Sequence, residues 1–167
     1  TLTRMDQMRY QVVPVELGIR EYIEDQIERL EGLAYQKKIK LEFLPGDEHK
    51  IISDAMLLGR AFSNVTSNCI RYAKETVQIS VEAAGDRLKI TIRDDGPGIS
   101  EADLPHLFDR FYKGKNGNHG LGLSIAKRSM EYMGGNIEAE SSPEGAIFMI
   151  TLPQDCRSFA VEEWTEV

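Results

Sequence analysis

Two stretches of this chain alternate apolar and polar residues and then double back on themselves. The first, "TVQISVEAAGDRLKITIRDD" (residues 76–95), pivots on Gly85-Asp86, a dipeptide that favours a tight hairpin turn. The second, "GGNIEAESSPEGAIFMITLP" (134–153), turns at Pro143 to Gly145. Period-two alternation means each hairpin has one apolar face and one polar face, so something must cover the apolar side. The rest of the chain offers helices for that cover. From Val15 to Lys37 the apolar residues Leu17, Ile19, Ile23, Ile27, Leu30, Leu33 and Ala34 recur at helical spacing and predict one long amphipathic helix. "KIKLEFL" (38–44) and "HKIISD" (49–54) read as short strands. Ser53 is the expected N-cap of a second helix over about 54–74, with Asp54 favourable in its first turn. A short Ser100-capped helix follows "GPGIS", and a third long helix is expected near 121–133 after a Gly/Lys/Asn-rich loop. Helices intermixed with hairpin-paired strands make the class α+β: a mixed, mostly antiparallel sheet covered on one face by three helices.

Length and charge narrow the function. At 167 residues the chain suits one well-buried domain. A net charge of −7 with no basic block argues against nucleic acid, so an anionic ligand must be held by loop amides, a metal or a few cations. Cys69 and Cys156 have neither metal-site spacing nor the numbers for a disulfide framework, so reduced thiols in a cytoplasmic setting are the expectation. No run of 18 apolar residues predicts a membrane span. Residues 1–12 read as the end of a helix whose start is missing, broken by Pro14, as if cut from something longer.

Three short stretches carry chemistry. In "SNVTSNCIRYA" (63–73) two asparagines stand four apart on a helix, although Asn is a mediocre helix former. Asn64 and Asn68 therefore share a face, and Arg71 is expected there too. An Asn carbonyl is a hard, neutral ligand for Mg²⁺ beside phosphates, and an arginine can meet phosphate oxygens. In "RDDGPGIS" (93–100) a carboxylate at a strand end can accept from a purine's exocyclic amine, while Gly96 and Gly98 would let backbone approach the ligand. In "GNHGLGLSIAKR" (117–128) glycines sit where a loop becomes a helix, whose N-terminal amides favour phosphate. That cluster is neither a Walker A loop, lacking G-K-[ST], nor a dinucleotide fingerprint, lacking the preceding strand. Singly, each stretch has an ordinary structural reading: solvated helix, surface turn, Gly-rich loop.

Jointly they are specific. N-x-x-x-N, then D-x-G-x-G, then "LFDRFYK", then G-L-G-L resembles the GHKL ATPase superfamily, and within it the catalytic ATP-binding domain of sensor histidine kinases in two-component systems. The resemblance covers residues 13–153, leaving 1–12 as a remnant of a dimerisation helix and 154–167 as a tail. It implies the Bergerat fold, a two-layer α/β sandwich, and ATP with Mg²⁺ as ligands. Residue by residue it implies Asn68 as metal ligand with Asn64 beside it, and Arg71 and Tyr72 on phosphate and nucleotide. Asp94 rather than Asp95 would take the adenine amine, counting back two from Gly96. Gly96, Gly98 and Ile99 would shape that pocket, and Phe108 and Phe111 would anchor a mobile lid. Lys113 would reach the γ-phosphate, with Asn64 and Arg71 alongside as catalytic groups. Gly117, Gly120, Leu121, Gly122 and Leu123 would form the lid hinge and phosphate turn. His119 departs from the small or hydroxyl residue usual there, the lid is short, and "GAIF" replaces the commoner Gly-Thr.

The histidines His49, His106 and His119 lie outside any H-E-x-x-T/N-P context, so the phosphoacceptor is expected on a separate dimerisation domain. The resemblance further implies a response regulator as downstream partner and a cytoplasmic position in a membrane-anchored sensor. An ATP-driven conformational clamp, as in chaperones, mismatch-repair proteins or gyrase-like enzymes, is the other member class. Those proteins usually carry a glutamate as water-activating base where this chain has Asn64.

Overall fold

The computed structural model describes residues 10–112 and 122–158. Strand β1 (Val15–Gly18) leads into helix α1 (Ile19–Lys37), followed by β2 (Lys40–Leu44), β3 (Lys50–Ser53) and helix α2 (Ala55–Tyr72). A hairpin of β4 (Thr76–Ala84) and β5 (Arg87–Asp94) comes next, then a 3₁₀ turn (Leu104–His106). Helix α3 (Gly122–Glu131) and a second hairpin, β6 (Asn136–Ser142) and β7 (Gly145–Pro153), complete the order. The main sheet runs β2-β4-β5-β7-β6, antiparallel except where β2 lies parallel to β4; β1 and β3 pair antiparallel in a small second sheet. The α+β class and the three-helix cover agree with the expectation.

The alternation seen in the sequence is the burial pattern of the sheet. Val77 and Ile79 of β4, Leu88, Ile90 and Ile92 of β5, and Phe148, Ile150 and Leu152 of β7 are sealed on the helix side. Against them α1 lays Ile19, Ile23 and Ala34, α2 lays Leu57, Leu58, Ala61, Phe62 and Val65, and α3 lays Leu123, Ala126 and Met130. At roughly 2 kcal/mol per fully buried large aliphatic side chain, this two-layer core is the main source of stability.

Several local expectations change. The first helix starts at Ile19, not Val15, because Val15–Gly18 pairs with Ser53–Lys50 and Gly18 is extended at φ −80°, ψ 115°. Asp54, not Ser53, caps α2: its side chain accepts from the amides of Met56 and Leu57, whereas Ser53 ends β3 and donates its hydroxyl to the Met133 sulfur. The segment opened by Ser100 holds a three-residue 3₁₀ turn, with the Ser100 hydroxyl accepting from the Asp103 amide at 3.1 Å. Beyond Pro153, Gln154 and Cys156 pin the chain to Ile52 through backbone bonds of 2.8 and 2.9 Å, and Cys156 is fully buried.

Candidate nucleotide site

A cavity of about 300 Å³ opens between the C-terminal half of α2, the end of β5 and the turn that follows it. Asn68 and Tyr72 of α2 form one wall; Asp94 lies between them and Ala146 and Phe148 of β7; Pro97 to Ser100, Asp103 and Leu107 complete the lining. The helical spacing that made Asn64 and Asn68 share a face continues to Tyr72, four residues on, which is why Tyr72 rather than Arg71 reaches the wall. Asn68 is 7% exposed, and its amide has no hydrogen-bond partner among the described residues. A buried amide in that condition, opening on a cavity, has its bonding capacity free for a ligand.

Asp94 is the most constrained group of the site. One carboxylate oxygen accepts from the Gly96 amide at 2.9 Å and the Ala146 amide at 3.2 Å. The Cys69 thiol, next to Asn68 on α2, lies beside this carboxylate. Burial pushes the Asp94 carboxyl above its ordinary range; the two amides and the thiol pull it back, and the charge of neighbouring Asp95 adds to the rise. Burial and the same carboxylate push the Cys69 thiol well up, so it is a protonated donor rather than a nucleophile.

Asp95 has a different task. Its carboxylate points back to the α2–β4 connection and accepts from the amides of Lys74 at 2.8 Å, Glu75 at 3.1 Å and Thr76 at 3.2 Å. Burial would raise its pKa, but the amides of Glu75, Lys74 and Thr76 outweigh that and hold it below the usual carboxylate range. Two adjacent aspartates thus divide the work, one in the cavity and one closing a loop.

The glycines of the turn allow close chain packing, and Gly98 also lines the cavity. A Cβ on Gly96 would lie 2.1 Å from the Tyr72 carbonyl oxygen. One on Gly98, which adopts φ +80°, would lie 2.6 Å from both the Ser141 hydroxyl and the Ser142 carbonyl oxygen. Ser141 in turn accepts from the Ile99 amide at 2.6 Å, stapling the turn to β6.

Of the residues singled out from sequence, the structure brings Asn68, Tyr72, Asp94, Gly98 and Ile99 together at the cavity. Asn64 is half-buried one turn back along α2, and Arg71 is exposed in its last turn; neither lines the cavity. Gly96 packs against the Tyr72 carbonyl and donates its amide to Asp94, and Leu123 is 2% exposed in the core. Gly122 is the first residue of α3. Phe108 is anchored, edge-on to Phe148 at 6.4 Å with the Lys127 ammonium 4.9 Å from its centroid. Phe111 is not: it is 62% exposed at φ +65°, with the Arg110 guanidinium over its ring. Lys113, Gly117, His119, Gly120 and Leu121 lie outside the described residues.

Sequence reasoning missed Cys69, Ser100, Asp103, Leu107, Ala146 and Phe148. Ala146 contributes a backbone amide to a residue 52 positions away, a role no side-chain pattern reveals. Asp103 accepts from the Tyr112 hydroxyl at 2.6 Å, a spacing of nine that could have been noticed.

Comparison with known proteins agrees with this geometry. The family described as histidine kinase-, DNA gyrase B-, and HSP90-like ATPase matches residues 53–155. The signal transduction histidine-protein kinase AfsQ2 of Streptomyces coelicolor is 43% identical over 108 residues, covering 61% of this chain and 20% of that protein. The sensor histidine kinase CssS of Bacillus subtilis is 32% identical over 154 residues, covering 92% of this chain and 34% of that protein. The chain therefore spans a fifth to about a third of the length of these curated relatives. Among solved structures, the mycobacterial sensor histidine kinase MprB superposes with a TM-score of 0.75 at 26% identity, covering 86% of this chain and 99% of that one. The Acinetobacter baumannii histidine kinase AdeS has a TM-score of 0.78 at 21% identity, covering 92% and 73% of the two chains, and speaks to the fold alone. Among the described residues no helix is long and apolar enough to cross a membrane. The chain belongs to the histidine kinase-, DNA gyrase B- and HSP90-like ATPase family.

Proposed function

We propose that this domain holds ATP with adenine against Asp94 and donates the γ-phosphoryl group to a histidine on a separate dimerisation domain. The buried Asp94 carboxylate at the cavity carries this reading. Already bonded to two amides, it is fixed in direction and accepts from the exocyclic amine of adenine. Tyr72 and Ile99 flank the base, and Gly98 holds the turn that supports it.

Asn68 is suited to a Mg²⁺ ion that bridges phosphate oxygens. Its amide is neutral, buried and without another partner, and no group of three or more acidic, His or Cys side chains gathers among the described residues. The nucleotide's own oxygens would therefore supply most of the shell, with Asn64 the second candidate ligand one turn away. When bound, the ion neutralises phosphate charge. Arg71 and Lys113 add cationic charge toward the phosphates, and Gly122 at the start of α3, with Gly120 and Leu121 before it in sequence, receives them while buried Leu123 holds the helix in place. Phosphoryl transfer asks the protein mainly for positioning and charge stabilisation, which these groups provide. Phe111, which is exposed, shares the family's lid-anchor role with Phe108 and closes over nucleotide in this reading.

Asn68→Ala is expected to weaken ATP binding about tenfold in Mg²⁺ and much less in EDTA, as calorimetry in both conditions would measure. Equal losses would remove Asn68 from the ion.

In the whole protein, residues 1–12 lead in from the dimerisation domain, the described residues 10–12 being non-helical rather than the helix end expected; residues 13–153, with Gln154 to Cys156 bonded to Ile52, form the catalytic domain, and the remainder is a tail. The transfer partner is then the protein's own dimerisation domain, the downstream partner a response regulator, and the setting the cytoplasmic side of a membrane-anchored sensor. Incubation with radiolabelled ATP tests the reaction. The isolated chain should take up no label, and a supplied dimerisation domain bearing the acceptor histidine should become labelled. Acid-labile label on this chain alone, lost in His119→Ala, would overturn the assignment.

A further inference from the structure

Asp54 is 1% exposed, and both of its carboxylate oxygens are engaged, in two different directions. One oxygen caps α2, accepting from the amides of Met56 and Leu57 at 3.0 Å each. The other accepts from the Tyr10 hydroxyl at 3.2 Å and the Val13 amide at 2.9 Å. Tyr10 also packs its ring 5.8 Å from that of Tyr132, just after α3, and the neighbouring Met133 sulfur accepts from the Asp54 amide at 3.3 Å. The short stretch that leads into β1 is thus tied to the start of α2 through the Asp54 side chain. At the other end of the same unbroken helix, about 27 Å long, stand Asn68 and Tyr72 in the cavity wall.

A plain N-cap needs only one oxygen. The second could be left to water, yet it is sealed from solvent and given two donors from residues 41 and 44 positions away in sequence. We propose that Asp54 is a latch: it couples the placement of residues 10–13 to the placement of α2, and so to nucleotide in the cavity. Coupling of this kind is reciprocal. Whatever moves the segment at Tyr10 biases α2, and ATP held against α2 must tighten the segment in return. The inference rests on the reading of the cavity as the ATP site.

Asp54→Asn separates the latch from the cap. Asn is as good an N-cap as Asp, so its carbonyl can keep the amides of Met56 and Leu57. Its NH₂ group then faces the Val13 N–H, donor against donor, while the Tyr10 hydroxyl can rotate to accept. Amide exchange by NMR, with and without a saturating non-hydrolysable ATP analogue, reads both ends. In the unaltered chain nucleotide should slow exchange at Val13 about threefold or more. In Asp54→Asn, Val13 should exchange about tenfold faster and no longer respond to nucleotide, while Met56 and Leu57 stay protected. Tyr10→Phe, which keeps the cap and the Val13 bond, should halve the response at least, and gives the same reading if Asp54→Asn does not fold. Calorimetry on the same samples reports binding. Nucleotide that binds without slowing Val13 in the unaltered chain, or slows it equally in the variants, overturns the latch alone. Absence of binding overturns the site reading and the latch together.

Discussion

Asp94→Asn should lower affinity for ATP about a hundredfold while leaving the fold intact. The asparagine carbonyl can still accept from the amides of Gly96 and Ala146, so the turn and β7 keep their tie to β5. What changes is the atom offered to the base. An NH₂ group would face the exocyclic amine of adenine, and two donors would meet in a buried site with no water to satisfy either. Guanine, whose carbonyl lies where adenine carries its amine, should regain part of the lost affinity. Asp95→Asn makes the opposite demand: it weakens the cap on Lys74, Glu75 and Thr76, so it should lower stability by about 1 kcal/mol with ATP affinity nearly unchanged. Calorimetry with ATP and GTP, beside thermal unfolding, separates the two. If Asp95→Asn abolishes binding and Asp94→Asn is silent, the adenine assignment belongs to the wrong aspartate.

The largest effect on stability is expected from Gly145→Ala. Gly145 adopts φ +138°, and a Cβ there would sit 2.0 Å from the Asp94 carbonyl oxygen and 2.8 Å from its carbon. Backbone cannot swing aside as a long side chain would, so β7 must part from the end of β5. A loss of about 3 kcal/mol or more follows, or roughly 10 °C in the unfolding midpoint for a chain of this size. Gly85→Ala is the control. It too has positive φ, +65°, but open space surrounds it, so its cost should be only the strain of that conformation, about 1 kcal/mol. Equal midpoints for the two variants would show that the contact with Asp94 does not constrain the strand. Because the contact lies beside the adenine carboxylate, Gly145→Ala should also weaken nucleotide binding at temperatures where it remains folded.

What could be read in the sequence was whatever repeats locally. The hairpin faces were legible because a period of two exposes its own burial pattern, and Asn68 with Asp94 because their spacings are fixed by a helix turn and a strand end. Spacing alone does not separate Arg71 from Tyr72: three residues on and four residues on both count as one face, yet Tyr72 lines the cavity and Arg71 is exposed. The start of α1 was hidden because Val15 and Leu17 fit a helical stripe as well as they fit a strand, and only pairing with β3 decides between them. Asp54 displaced Ser53 as cap for a similar reason, since either could cap and the Met133 sulfur claims the serine. Gly96 and Gly145 announce freedom of backbone but not what needs it. The need lies in Tyr72 and in Asp94, residues brought close only by the finished sheet.

Strand β3 lies between two distant parts of the chain. On one side it pairs with β1, which precedes it; on the other, Ile52 bonds to Gln154 and Cys156, more than a hundred residues later. Such pairing makes folding of this domain late and cooperative, since a loop that long must close before either bond forms. During synthesis from the N-terminus, β1, α1 and β3 emerge early but wait with one edge open. An open edge carries unpaired N–H and C=O groups that another chain could use. A break just after Pro153 would leave the five-stranded sheet whole but strip Ile52 of its two bonds to Gln154 and Cys156, so that edge of β3 would stay open.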